Sequence, residues 1–409
     1  MIEVVGVGAS GLESLGAAER RLVESAEVVV GGERHLAMLD ERPDRELVPW
    51  PSPLLPHLGE VLGGLAGRRA VVLASGDPLV SGIGSTLVEA LGPEAVRIRP
   101  NLSSVTLARA RMAWSAEESE VVTLVGRDLD LLRARLAPGA RLVVLTSGAD
   151  APSRVAALLV EEGYAASRLC VLGDLGGPAE SRLDGVAASW DDRPIPRLHL
   201  VCVECDGRPA GGGRPVTPGL PDTAYDHDGQ LSKRLVRAAA VAHLAPRAGD
   251  VLWDLGAGAG SVGIEFARAH PRNRVHSVER DATRAARIRA NARALGVPTL
   301  DVVESPSIEA VGTLPPPDAV FIGGGATTRL VDACWEALAP GGRLVVHAVT
   351  VETELLLHEA RRRHGGDMAR ISVEELEPLG ALTGWRPARP VVQWSATKPA
   401  AQNDPEDAS

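Results

Sequence analysis

One short stretch constrains the fold more than any other. Asp254-Leu-Gly256-Ala257-Gly258-Ala259-Gly260 follows an apolar run, residues 251–255, and opens a helical pattern reaching about Ala269. Glycines at alternate positions let the backbone approach a ligand and leave a helix N-terminus facing a polar group. A second apolar run, residues 275–278, ends in Glu279, nineteen residues after Gly260. An acidic side chain at that place can accept hydrogen bonds from both hydroxyls of a ribose. Helical patterns at 232–244 and 282–295 alternate with apolar runs at 300–303, 319–322 and 344–348. This rhythm predicts a doubly wound parallel sheet with a nucleoside site at its carboxyl edge.

The glycines fit two nucleoside chemistries. Gly258-Ala-Gly260-Ser-Val-Gly263 matches the dinucleotide pattern G-x-G-x-x-G, which alone is a weak signal. The stretch reads better as acidic-x-Gly-x-Gly-x-Gly, the arrangement of methyltransferases that use S-adenosylmethionine. Asp254 is then expected near the methionine portion of that cofactor. Asp318 begins and Gly323-Gly324-Gly325 ends the fourth strand, where such enzymes close the site.

The first half of the chain is also α/β in rhythm. Its Gly6-Val-Gly8-Ala-Ser-Gly11 again fits G-x-G-x-x-G, but the next strand ends in Gly31-Gly32 with no acid. A dinucleotide reading is therefore poor here. More distinctive is Ser75-Gly76-Asp77-Pro78 after the apolar run 70–74. It places backbone groups and one carboxylate at a sheet edge where cofactor clefts lie. Taken bare, it reads equally as an ordinary tight turn.

Between the halves, nine of the sixteen positions 206–221 are Gly or Pro. That content predicts a linker at 207–221, separating a domain at 1–206 from one at 222–398. Residues 399–409 are polar and acidic and read as a disordered tail. A formal net charge of −10 argues against a nucleic-acid coat protein. No apolar run reaches the ~18 residues of a membrane span, and no signal peptide is visible. Four cysteines in 409 residues are too few for a disulfide scaffold, which suits a reducing cytoplasm. Cys202 and Cys205 lie on one strand at odd spacing, so they read as core rather than metal ligands, and no metal site is expected.

The first half resembles a tetrapyrrole (corrin) methylase domain. The resemblance rests on Val5-Gly-Val-Gly8, Ala74-Ser-Gly-Asp-Pro78, Pro100-Asn-Leu-Ser-Ser-Val105 and Leu124-Val-Gly-Arg127. The second half resembles a decarboxylating precorrin methyltransferase domain. Its matching stretches are His227-Asp-Gly-Gln-Leu-Ser-Lys233, Trp253–Gly260, Val278-Glu-Arg-Asp281, Ala319–Gly325 and Thr383-Gly-Trp-Arg-Pro387. In this order the two resemble the bifunctional precorrin-6Y methyltransferases of cobalamin biosynthesis. The resemblance implies a tetrapyrrole methylase-like α/β domain followed by a Rossmann-like methyltransferase domain. S-adenosylmethionine would be the cofactor and a precorrin the substrate, with homo-oligomeric assembly.

Carried over by position, the resemblance implies cofactor contacts at Ala9, Ser75, Gly76, Asp77, Val80, Ser103 and Ser104 in the first half. In the second half it implies Ser232, the loop Gly256, Ala257, Gly258, Ala259, Gly260, the ribose acid Glu279, and Ser307 beside the adenine. Glu304-Ser305-Pro306-Ser307 departs from the family's Glu-Gly-x-Ala. His347 stands where the family often has Asn.

Methyl transfer from a sulfonium needs an aligned geometry and a dry cleft rather than a protein nucleophile. Asp228 is the candidate catalytic carboxylate, with a helix cap the equal alternative. Arg127, Arg329 and Arg386 are candidates for holding substrate carboxylates. A different reading makes the second half a methyltransferase of another substrate, with the first half a non-catalytic binding module.

Overall fold

The computed structural model describes residues 1–191, 193–207, 209 and 214–400. The linker positions 208 and 210–213 and the tail positions 401–409 lie outside the described residues. The chain divides into two compact units. One holds residues 1–127 and 137–212, the other 128–136 and 213–409.

The first unit contains two five-stranded sheets. The strands of the first are β1 (Ile2–Val7), β2 (Val28–Gly31), β3 (Glu46–Pro49), β4 (Ala70–Ser75) and β5 (Val96–Arg99). They run parallel in the order β3-β2-β4-β1-β5. Val4, Val5, Val28, Val29, Val30 and Val72 are fully buried. Both faces are therefore covered, which explains why these strands read as continuous apolar runs rather than alternating ones. The second sheet holds β6 (Glu120–Thr123), β7 (Arg141–Leu145), β8 (Arg168–Gly173), β9 (Ser181–Val186) and β10 (His199–Glu204). Its order is β6-β7-β10-β8-β9, with only β6 and β7 parallel.

The second unit is built on a seven-stranded sheet. Its members are β11 (Val251–Leu255), β12 (Arg274–Val278), β13 (Asp301–Val303), β14 (Ala319–Ile322), β15 (Arg343–Ala348), β16 (Asp367–Ile371) and β19 (Val391–Thr397). A separate hairpin pairs β17 (Glu374–Leu379) with β18 (Leu382–Pro387). The order β13-β12-β11-β14-β15-β19-β16 is parallel through β15, and β19 enters antiparallel between β15 and β16. Strand order reverses between β11 and β14, so a crevice opens at their carboxyl ends.

The proline- and glycine-rich stretch is ordered where it approaches this sheet. The Gly219 and Leu220 amides donate to the Glu265 carboxylate at 2.7 and 2.9 Å, and Leu220 is 1% exposed. Arg237, fully buried, donates to the same carboxylate at 2.7 Å, and Tyr225 Oη donates to it at 3.0 Å. A buried charge pair needs this many hydrogen bonds to offset its desolvation. Glycine and proline content alone did not reveal that anchoring. All four cysteines are free and buried, and burial pushes each thiol up to about 12.

Candidate active sites

In the second unit a cleft of about 910 Å³ lies at the carboxyl edge of the sheet. Gly256, Ala257 and Gly258 form one wall, and Gly323 to Gly325 face them. Gly256 has φ 66°, and a Cβ there would sit 2.6 Å from the Gly324 carbonyl oxygen. Only glycine permits that approach of two turns. Glu279 lines the cleft. Its carboxylate accepts from the Gly258 amide at 2.9 Å and from the Asp281 amide at 3.1 Å. Asp281 in turn caps the helix Ala282–Ala294 by accepting from the Arg284 amide at 3.0 Å. Ser232 and Ser307 also line the cleft, with Ser305 and Pro306 beside the latter.

Four expected residues of this unit lie elsewhere. Ala259 is 2% exposed, and its carbonyl accepts from Asn291 Nδ2 at 3.0 Å. A Cβ on Gly260 would meet Ile288 at 2.7 Å, so that glycine packs the turn onto a helix. Asp254 is 1% exposed and accepts from the Gly263 amide at 3.0 Å. It braces the helix behind the turn rather than facing the cleft, and burial raises its pKa to about 7.

Asp228 is also absent from the cleft wall. Its carboxylate pairs with Arg284 at 2.8 Å and Arg287 at 3.3 Å, and accepts from the Gln230 amide at 3.1 Å. The Arg284 hydrogen bond, above all, lowers its pKa to about 2. A carboxylate held so acidic is a poor proton acceptor. The geometry favours tethering of the 226–233 loop to the helix Ala282–Ala294.

The cleft also holds residues to which the sequence assigned no role: Arg280, Arg389, and His347, which it marked only as a departure from the family's Asn. His347 lines it from β15, edge-on to Phe321 at 4.9 Å between centroids. Burial lowers its pKa to about 4, and its Nε2 lies 2.9 Å from Gln393 Oε1. Arg280 and Arg389 line the cleft, as does the anticipated Arg386, paired with Glu377 at 3.0 Å. Arg329 does not. The signals that pointed toward His347 were its place at the family's Asn position and at the end of the fifth apolar run.

In the first unit a smaller cleft of about 320 Å³ lies at the carboxyl ends of β1 and β4. Ala9, Ser75, Gly76 and Ser104 line it. Gly6 and Gly76 make the approach possible, since a Cβ on Gly6 would overlap the Gly76 carbonyl oxygen at 1.8 Å. The glycines after β1 do not open an α-helix. The Gly8 amide donates to Ser14 Oγ at 2.8 Å, and the helix Ala17–Ser25 starts six residues after Gly11. That is the structural reason the dinucleotide pattern misleads here.

Asp77, Val80 and Ser103 do not line this cleft. Asp77 Oδ1 accepts from the Leu79 amide at 2.9 Å and shapes its own turn. Val80 packs against the core of the second sheet. Ser103 caps the helix Ser104–Met112, accepting from the Thr106 amide at 3.0 Å. Arg127 is likewise outside, while Arg34 and His199 are inside. Among the described residues no group of His, Cys, Asp and Glu is arranged to hold a metal, and no helix is long and apolar enough to cross a membrane.

Comparison with known proteins matches two families along the chain, the first match including residues 128–136 that group with the second unit. Residues 1–189 match the family model of tetrapyrrole (corrin/porphyrin) methylases, and residues 223–398 match that of the precorrin methyltransferase domain. A precorrin-6Y C(5,15)-methyltransferase [decarboxylating] from Sinorhizobium sp is 42% identical over 97% of this chain and 96% of its own length. A protein of the same name from Mycobacterium tuberculosis is 41% identical over 97% of this chain and all of its own. A cobalt-precorrin-7 C(5)-methyltransferase from Salmonella typhimurium is 32% identical over 42% of this chain and 84% of its own length.

Proposed function

Because the chain belongs to the family of decarboxylating precorrin-6Y C(5,15)-methyltransferases, we propose that each of its units carries its own methyl-transfer cleft. The chain is a methyltransferase with decarboxylase activity in cobalamin biosynthesis. The finer division assigns carbon 15 and the loss of carbon dioxide to the second unit, and carbon 5 to the first. It draws support from the Salmonella relative, whose name carries the C(5) activity alone and which spans under half of this chain.

The observation that carries the reading is that Glu279 lines the larger cleft beside the Gly256–Gly258 turn, its carboxylate held by the Gly258 amide at 2.9 Å. The side-chain-free wall admits a nucleoside against the backbone, and the carboxylate retains lone pairs for two ribose hydroxyls. S-adenosylmethionine, when bound, supplies an activated methyl group. The chain's residues then orient the acceptor carbon in line with it and exclude water. Phe321 and Val391 contribute apolar surface to the wall. Arg280 and Arg389 offer guanidinium groups to the substrate's carboxylates, whereas Arg386 is paired with Glu377. Electrons released when a ring acetate loses carbon dioxide pass into the conjugated macrocycle, so no Schiff-base lysine is required.

The test is mass analysis of the product formed from a precorrin-6-type substrate with S-adenosylmethionine. Gain of two methyl groups and loss of one carbon dioxide supports the reading. Binding of two cofactor molecules per chain supports two clefts. A single site supports the reading of the first unit as a binding module.

A further inference from the structure

Arg34 stands at the mouth of the smaller cleft without a counter-ion. It follows Gly31-Gly32 at the carboxyl end of β2 and lines the cleft. Its Nη2 donates to Ser75 Oγ at 2.9 Å and lies 3.1 Å from His35 Nε2. The same His35 nitrogen lies 3.2 Å from Ser75 Oγ. A guanidinium can only donate, so the Arg34–His35 contact is a hydrogen bond when His35 Nε2 carries the lone pair. Burial keeps that imidazole neutral, with its pKa lowered to about 4. One edge of the guanidinium is thus pinned by two neutral groups on rigid elements.

Among the described residues no carboxylate lies within ion-pair distance of Arg34. In the larger cleft Arg386 is already paired with Glu377. Arg34 is exposed to solvent, and Asp174 acts on it only from beyond contact distance. A guanidinium oriented on one edge and unpaired on the other is open to a bidentate carboxylate.

We propose that Arg34 is the carboxylate-binding residue of the first unit's cleft, oriented by Ser75 and His35. The ligand is a carboxylate, either at the amino-acid end of the methyl donor or on the rim of the tetrapyrrole. This rests on the reading of that cleft as one of two methyl-transfer sites.

The full-length chain tests it, with the second cleft as internal control. Under sub-saturating donor and substrate, Arg34→Ala should slow one methylation at least about tenfold. The decarboxylation-linked methylation should stay at the wild-type rate. Arg34→Gln keeps a donor for Ser75 without the charge and should be slowed alike. Arg34→Lys keeps the charge without the planar fork and should recover only part. A raised half-saturating concentration of S-adenosylmethionine assigns the carboxylate to the donor, and of tetrapyrrole to the substrate. Wild-type rates for both methylations in Arg34→Ala or Arg34→Gln overturn the proposal. So does equal loss of both, which marks a damaged fold. A wild-type chain that transfers no methyl group overturns the functional reading instead.

Discussion

Glu279 and Gly258 stand 21 residues apart in sequence, yet the glycine amide donates to the carboxylate at 2.9 Å. That bond joins the turn after β11 to the end of β12, across two adjacent strands paired in parallel. It fixes the acid before any ligand arrives. A preorganised acceptor loses less entropy on binding than one that must be ordered.

Glu279→Ala should weaken cofactor binding in the second unit. Each hydrogen bond to a charged acceptor contributes ~1.5–3 kcal/mol, and the Gly258 and Asp281 amides lose their partner as well. Calorimetric titration of the full chain should lose one of its two sites. Retention of both at wild-type affinity would falsify the ribose assignment.

Gly256→Ala and Gly324→Ala should differ sharply. At Gly256 the left-handed backbone costs ~1–2 kcal/mol for a residue with Cβ, and the Gly324 carbonyl blocks the space. At Gly324 a Cβ meets nothing within 4 Å. Thermal melting should fall for the first variant and hold for the second. Equal melting temperatures would show that the two turns are not in tight contact.

Stability of the second unit should carry a pH signature from Asp254. Its pKa is raised by burial from 3.8 to about 7, so the folded chain holds a proton that the unfolded chain releases above about pH 4. The stabilisation is complete below pH 4 and disappears as pH rises through about 7. Asp254→Asn stays neutral and keeps an acceptor for the Gly263 amide. Urea midpoints should therefore favour the variant more at pH 8 than at pH 5. An unchanged difference between those two pH values counts against the shift.

Asp77→Ala should impair only the first unit. The carboxylate accepts from the Leu79 amide and shapes the turn that carries Ser75 and Gly76 into the cleft. Methylation without decarboxylation should slow while the decarboxylating methylation continues. Parallel loss of both, with the fold intact, would refute separate clefts.

Severing the chain near Gly212 should leave each chemistry with its own fragment. Residues 214–409 should add one methyl group and release one carbon dioxide, whereas residues 1–211 should methylate only. The second fragment should melt below the intact chain, because it lacks residues 128–136, which group with this unit. Arg293 there pairs with Asp128 at 2.6 Å. Carbon dioxide release by residues 1–211 would reverse the assignment.

The amino-acid sequence by itself determined the doubly wound second unit, its glycine turn and Glu279. Those features are local: alternate glycines, an apolar run on each side, and one acid at a fixed spacing. The tight opposition of Gly256 and Gly324 needed the tertiary structure, because it depends on β11 and β14 becoming neighbours. Side-chain direction was equally out of reach. Asp254, Ala259 and Gly260 carry the motif's spacing but face the core, and Asp228 is claimed by two arginines of a helix that starts 54 residues later. Arg34 and His347 belong to no spacing pattern. They reach their clefts because strands distant in sequence end at the same sheet edge, and only folding brings those ends together.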